Sequence, residues 1–201
     1  GVVSIRTMVP AGGVVDGPTR VPIDAITAGQ MHGALHFDAT HDAPPGIIAN
    51  VTMLFDTAGE IPTGGKGDVL FPDGPTLITG LERGWVLFEV KPKIVVLEPK
   101  GVAATGVWYL PTNTLTITLS EGRIVGGSRV KLDIVNVQSP TIPMPESKAL
   151  ITSSYHGKPI DGPTNVTVDA IRMTFGGHLV VESTSHTPNV KTNVSLSFST
   201  A

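Results

Sequence analysis

Five side chains between positions 32 and 42 belong to the types that bind metal ions. They are His32, His36, Asp38, His41 and Asp42. A metal site needs ligands that converge on one point and are held there by further hydrogen bonds. A later segment of the chain repeats this one, and Val181 and Ser183 replace His36 and Asp38 there. The sequence therefore predicts no metal site.

Four aspartates recur in two copies of one motif and raise the alternative of calcium binding. They are Asp16, Asp24, Asp161 and Asp169. Calcium takes six to eight oxygen ligands, and the sequence contains no dense acidic loop of the D-x-D-x-D kind. An Asp-Gly-Pro sequence is typical of turns, in which the carboxylate accepts local backbone N–H groups. We predict this turn role, and calcium between modules remains the alternative.

The glycine-rich stretch 59–67 resembles a phosphate-binding loop only superficially. That loop requires a lysine directly after Gly64, but Gly65 stands there, and Lys66 is followed by Gly67 instead of a hydroxyl residue. The nucleophile motif G-x-S-x-G does not occur either. We predict no catalytic residue, no cofactor and no enzymatic activity.

Three asparagines stand in N-x-[ST] sequons, the acceptor pattern for N-linked glycans in secreted proteins. They are Asn50, Asn165 and Asn193. Asn50 and Asn193 occupy equivalent positions of the repeat, and Asn193 alternates with apolar residues, so it is predicted to face solvent. We expect all three to be glycosylation sites.

The aromatic residues allow two interpretations. Trp85 and Trp108 could form a platform on which sugars stack, together with Tyr109. Alternatively, each tryptophan fills a hydrophobic core, since a large aromatic side chain buries about 150–250 Å². The sequence favours the core for Trp108 and leaves both interpretations open for Trp85.

Charge and composition exclude several classes of partner. The net charge is −3, and the 14 basic residues form no cluster, so we expect no nucleic-acid binding. The chain has no cysteine, which excludes disulfides and thiolate metal sites. No apolar run approaches the roughly 20 residues that span a bilayer, and we predict no membrane span.

Strand periodicity runs through the chain, because apolar residues occupy every second position of 114–119, 129–134 and 193–199. The predicted core-facing residues are Leu115, Ile117, Leu119, Val130, Leu132, Ile134, Val194, Leu196 and Phe198. Turn clusters at 73–75, 126–127 and 161–163 are predicted to separate strands. These patterns predict an all-β fold, an immunoglobulin-like antiparallel β-sandwich with a second, partial module.

An internal repeat is the most informative feature. Residues 15–26 recur as 160–171, with eight of twelve positions identical at an offset of 145, and Thr7 matches Thr152. We therefore predict a closing strand of one unit at 1–16, a complete unit at 17–160 and a partial unit at 161–201. A fainter echo lies inside the unit, where 59–65 resembles 122–127.

The order of these motifs resembles a known class of proteins. Ile61 to Gly65, Trp108, the alternating 114–119 strand and Gly126-Gly127 are similar to the tandem immunoglobulin-like modules of very large secreted proteins in algae and other protists. They also resemble subunits of extracellular fibrils found in fresh water, in which β-sandwich protomers join head to tail. The resemblance implies an extracellular, structural role.

We accordingly expect a structural subunit of an extracellular fibril or surface array whose copies associate head to tail by β-strand complementation. A carbohydrate-binding or adhesive module of a larger surface protein is the main alternative, and an accessory domain of a larger enzyme is the third. The partners are copies of the chain itself, and glycans in the alternative. The expected assembly residues are Val3, Ile5, Thr7, Val9, Val194, Leu196 and Phe198, with Val3, Ile5 and Val9 predicted on one face.

Overall fold

The computed structural model describes residues 2–24, 26–38, 45–73, 84–87, 89–172, 175–183 and 194–200, with the backbone alone in the last two ranges. Within these ranges the fold is all-β, as predicted, with one 3₁₀ turn at Leu110–Thr112. The strands are β1 (Val2–Met8), β2 (Val14–Pro22), β3 (His32–Asp38), β4 (Ile48–Asp56), β5 (Lys66–Leu70), β6 (Val86–Leu87), β7 (Ile94–Glu98), β8 (Ala103–Tyr109), β9 (Thr114–Glu121), β10 (Arg129–Gln138), β11 (Ser147–Tyr155), β12 (Lys158–Val168), β13 (Phe175–Ser183) and β14 (Val194–Thr200).

Ten of these strands form one large sheet, which we call the central unit (β3–β12). Its strand order is β6-β10-β4-β3-β12-β11-β5-β9-β8, and β7 also pairs with β10. Because β7 contacts β8 as well, the two ends of the sheet approach each other and the sheet nearly closes into a barrel. All of its pairs are antiparallel except β12 with β3.

The core of the central unit follows the predicted alternation. Leu115, Ile117 and Leu119 of β9 are buried, as are Val130, Leu132 and Ile134 of β10. Polar and charged residues between them are more exposed, which is the pattern of strands with one face against the core. These two strand predictions are confirmed; the side chains of β14 lie outside the described residues.

The aromatic residues lie in this core. Trp85 and Trp108 are both buried, and Phe71 lies between them with ring centroids at 6.2 and 5.7 Å. Phe37 packs edge-on against Trp85 at 5.4 Å. Trp85 therefore fills the core, and neither tryptophan presents a ring face to solvent.

Two further pairs of strands stand apart from the large sheet in the pairing scheme. β1 pairs antiparallel with β2, and β13 pairs antiparallel with β14, each as a two-stranded sheet. The segment predicted as a single closing strand at 1–16 thus contains β1, the turn and the first residues of β2. The predicted boundaries at 16/17 and 160/161 fall inside β2 and β12.

The Asp-Gly-Pro sequences are not turns between strands, which corrects the sequence prediction. Asp161 to Pro163 lies inside β12, and Asp16 to Pro18 lies inside β2. Both sites are β-bulges, with register shifts beside them and positive φ at Gly17 and Gly162. A bulge accommodates proline and glycine within a strand because it interrupts the ladder locally.

The internal echo also has a structural counterpart. Ile61 and Ile124, which are equivalent in the two echoing segments, exchange backbone hydrogen bonds of 2.8 and 2.9 Å. Beside them, equivalent positions hold Glu60 and Arg123, whose side chains pair at 3.3 Å. The two echoing segments therefore lie side by side and pair with each other through these residues.

Candidate assembly surface

The β1–β2 hairpin exposes apolar side chains that a folded domain normally buries. Every residue of 2–24 is exposed. Val3, Ile5 and Val21 are 42%, 52% and 38% accessible and lie on one face, since Val3 pairs with Val21 and Ile5 with Thr19. An isolated two-stranded hairpin is at best marginally stable in water. This face is therefore a candidate surface for association.

The β11–β12 hairpin of the same chain is a buried copy of this hairpin. Val3 pairs with Val21, and Ala149 pairs with Val166 in the same way. Equivalent residues of the two hairpins are therefore 146 positions apart in the first strand and 145 apart in the second. The bulges fall at equivalent positions in both hairpins. Ala149, Ile151 and Val166, the counterparts of the exposed face, are 0%, 2% and 2% accessible.

The pairing of the strands corrects the alignment that the sequence suggested at Thr7. Sequence similarity places Thr7 with Thr152, but Thr7 lies opposite Asp16 just as Ser153 lies opposite Asp161. The difference of one residue is absorbed by the turn, which is longer between β1 and β2 than between β11 and β12. Thr7 therefore belongs to the face of Val3 and Ile5.

The opposite face of the hairpin carries two arginines, whereas Asp16 lies with Thr7 on the Val3–Ile5 face. Arg6 and Arg20 both lie there, because Arg20 pairs with Ser4 and Ser4 is two residues before Arg6. Their counterparts in the buried copy, Thr152 and Asn165, are on its outward face. Each hairpin thus has one face suited to a core and one suited to water.

In the central unit, the second strand of the buried hairpin, β12, pairs with β3. Its free edge adds in parallel to β3, with Thr167 beside Ala34 and Val168 beside Leu35. After the strand, the carboxylate of Asp169 accepts hydrogen bonds from the Phe37 N–H at 3.2 Å and from His36 Nδ1 at 3.1 Å. The counterpart of Asp169 in the first copy, Asp24, is exposed.

Asp161 anchors the bulge of the buried copy. It is fully buried, its N–H donates to Ser153 Oγ at 3.0 Å, and its Oδ1 accepts the Gly59 N–H at 2.8 Å. Gly29 and Gly59 pack so closely that a Cβ on Gly29 would lie 2.4 Å from Asp161 Oδ1. Asp161 thus accepts a hydrogen bond from a residue distant in sequence, whereas the Asp-Gly-Pro motif predicts a local donor.

Next to this anchor lies an open cleft of about 570 Å³. Ile26, Gly29, Gly59 and Ile160 are among the residues that line it. Ile26 is fully exposed, whereas its counterpart Ile171 is 1% accessible and exchanges backbone hydrogen bonds with Met144. The exposed surface of the first copy therefore extends beyond the hairpin to Ile26.

The remaining assembly and glycosylation residues are placed as follows. Val9 is exposed and lies in the turn after β1. In this turn the Val9 N–H donates to the Gly13 carbonyl and the Gly12 N–H donates to the Val9 carbonyl. Val9 therefore does not continue the face of Val3 and Ile5. Asn50 is half-buried on the outer face of β4, and Asn165 is exposed on β12. Asn193 and the side chains of Val194, Leu196 and Phe198 lie outside the described residues.

The histidine-rich segment has a structural role where it is described. His36 points to Asp169 across the β3–β12 junction, at 3.1 Å. Within the described ranges, no group of three or more His, Asp or Glu side chains is close enough together to hold a metal ion. His41 and Asp42 lie outside those ranges.

Two further findings concern membrane-spanning helices and similarity to known proteins. In the part of the chain that the structure describes, no helix is long and apolar enough to cross a membrane. No family model matches the chain, and neither curated proteins nor solved structures give a match.

Proposed function

We propose that the chain is a structural subunit of an extracellular fibril or surface array, and that its copies join head to tail by β-strand complementation. The subunit in this proposal is an immunoglobulin-like β-sandwich formed by the central unit. One observation carries the proposal: the β1–β2 hairpin exposes the face that its copy, β11–β12, buries completely.

An exposed strand edge gains stability from a partner strand in two ways. A strand added to a sheet gains main-chain hydrogen bonds, and pockets for alternate side chains supply specificity. Val3, Ile5 and Val21 are each partly accessible, and burying a large aliphatic side chain contributes about 1.5–3 kcal/mol relative to full exposure. Those side chains alone do not offset the loss of freedom on association, so the main-chain bonds are needed as well.

The geometry of the contact decides the form of the assembly. The β1–β2 hairpin would bind a different surface of the next copy, which makes the contact heterologous. Heterologous contacts that do not close into a ring produce open filaments. The proposal therefore leads to a fibril and not to a symmetric dimer.

Substitutions on the two faces of β1 test the proposal. Ile5→Asp places a charge on the candidate surface, whereas Ser4→Asp places the same charge on the outward face of the same strand. We expect the wild-type chain and Ser4→Asp to form filaments in negative-stain microscopy and to sediment as polymers. Ile5→Asp, and a chain lacking residues 1–10, should remain monomeric.

Two results would refute the proposal. One is a wild-type chain that stays monomeric at every concentration reached, which would leave the hairpin to be covered by a preceding unit in a longer covalent chain. The other is unchanged filament formation by the chain that lacks residues 1–10, because the hairpin would then be dispensable.

A carbohydrate-binding or adhesive role is the second candidate, and exposed Tyr109 supports it. Tyr109, Val107 and Leu110 are 59%, 47% and 55% accessible and lie at or just beyond β8, a strand at the end of the sheet. An exposed aromatic ring with apolar neighbours can stack on a sugar ring, since tyrosine has an apolar body and a polar tip. This candidate would be favoured if the wild-type chain forms no filaments but binds a glycan, and if Tyr109→Ala abolishes that binding.

A further inference from the structure

The sheet order of the central unit contains a four-strand run that the rest of the chain repeats in two separated halves. In that run β11, β12, β3 and β4 are consecutive neighbours. The β1–β2 hairpin is the copy of the first half. The β13–β14 hairpin corresponds to the second half, because Asn193-Val194-Ser195 matches Asn50-Val51-Thr52 and both hairpins are antiparallel.

We infer that β2 of one chain adds in parallel to β13 of a second copy, giving a four-stranded sheet in the order β1-β2-β13-β14. This inference rests on the proposed function and names the contact on which assembly depends. In the described part of the chain, β2 is paired only with β1 and β13 only with β14. β3 of the same chain cannot serve as the partner of β2, because it is already paired on both edges, with β4 and β12.

The model for the contact is the β12–β3 junction. There the Asp169 N–H donates to the Leu35 carbonyl at 3.3 Å, while the Asp169 carboxylate accepts from the Phe37 N–H at 3.2 Å. Asp24 stands in the position of Asp169 in the first copy. In the assembled sheet it makes the same two kinds of bond with the backbone of β13 in the second copy.

One residue of β2 departs from this model. Pro22 takes the position of Thr167, and proline has no N–H to donate to a neighbouring strand. The junction between copies therefore has one donor fewer than the β12–β3 junction. Proline on a strand edge also limits unregulated edge-to-edge pairing. A partner that also contacts the apolar face of Val3, Ile5 and Val21 is therefore favoured over a partner that only pairs with the edge of β2.

Cysteine cross-linking between two differently tagged chains tests the pairing, because the natural sequence has no cysteine. One chain carries Ile23→Cys, at the position equivalent to Val168 in the buried copy. The second chain belongs to a series of variants, each with one cysteine at a different position from 176 to 183. Val168 lies beside Leu35, whose counterpart is Val180 by sequence offset and Val181 by the pairing of β13 with β14, so we expect the strongest disulfide between tagged chains at one of these two positions. Moving the first cysteine to Val21 should move the maximum two positions toward the N-terminus in a parallel pair, and toward the C-terminus in an antiparallel pair.

Two controls define the geometry. Val168→Cys with Leu35→Cys in one chain should form an intramolecular disulfide, since these residues are already neighbours. Ile23→Cys mixed with Thr105→Cys should not link, because Thr105 lies on the exposed face of β8. As a measurement free of substitutions, assembly of the wild-type chain should slow hydrogen exchange at the Asp24 amide and along β13.

The outcomes separate this inference from the proposed function. The pairing would be overturned, and the fibril role left intact, by filaments in which Ile23→Cys chains form disulfides only with each other. Filaments in which hydrogen exchange along β13 is not slowed would have the same meaning. A maximum that shifts in the antiparallel direction would also overturn it. Absence of filaments and of any cross-link between chains would overturn both.

Discussion

Asp161 illustrates how much one residue type can convey at the residue scale. Its motif was interpreted as a turn with a local hydrogen bond, because Asp-Gly-Pro has that chemistry in most contexts. In the fold the carboxylate is buried and accepts from Gly59, 102 positions away in the chain. Only the tertiary structure brings Gly59 there, so residue type alone could not predict this bond. The repeated motif nevertheless marks a bulge in both hairpins, and Asp161 holds that bulge in the buried copy.

Substitution of Gly29 tests the packing around Asp161. A Cβ on Gly29 would lie 2.4 Å from both Ala58 Cβ and Asp161 Oδ1. We expect Gly29→Ala to lower the free energy of unfolding by about 1–3 kcal/mol, the usual cost of overpacking. Gly67→Ala is the matched control, because its nearest atom would be 3.9 Å away. Urea denaturation of both variants measures the difference, and equal stability would contradict the packing argument.

Glycosylation is a second prediction at this scale. Asn165 is exposed, and Asn50 lies on the outer face of β4 beside buried Val51. We expect both to carry N-glycans when the chain is secreted from eukaryotic cells. Intact mass before and after enzymatic deglycosylation should show the shift, and Asn50→Gln and Asn165→Gln should each reduce it. Asn113→Gln, which alters no sequon, should leave it unchanged, and secreted chain without any shift would end the idea.

At the scale of elements, alternation predicted the strands well and their partners poorly. The faces of β9 and β10 were predicted residue by residue, because a period of two directly reports which side is buried. The parallel β12–β3 pair, the bulges within β2 and β12 and the hairpin formed by β1 all depend on contacts between distant segments. The repeat supplied part of that information, since it aligned the sequence of β2 with that of β12.

The two copies of the hairpin allow one substitution to be tested in two environments. Ile151 is 2% accessible, and its counterpart Ile5 is 52% accessible. Ile151→Ala should destabilise the monomer by about 2–5 kcal/mol because it leaves a cavity in the core. Ile5→Ala should change monomer stability by less than about 0.5 kcal/mol, while raising the concentration at which filaments appear. Thermal unfolding below that concentration measures the first effect, and a large loss for Ile5→Ala would contradict the exposed placement.

At the scale of the whole molecule, the chain combines one nearly closed sheet with two hairpins that lie outside its pairing scheme. The central unit contains the hydrophobic core, in which Phe71 makes tilted and edge-on contacts with Trp85 and Trp108. The proposed fibril role depends on the hairpins. From alternation, Val3, Ile5 and Val9 are predicted on one face; Val3 and Ile5 share an exposed face of β1, and Val9 does not continue it. The exposure of Val21 and Ile26 is recognised only by comparison with their buried counterparts.

The two hairpins differ from each other, and this difference gives the proposed polymer a direction. At one terminus the last subunit presents only β1–β2, and at the other only β13–β14. An incoming chain therefore meets a proline-bearing edge at one terminus and a strand without proline at the other. Rates of addition and loss then need not be equal at the two termini. Such a polymer would be structurally polar, because its two tips expose different strands.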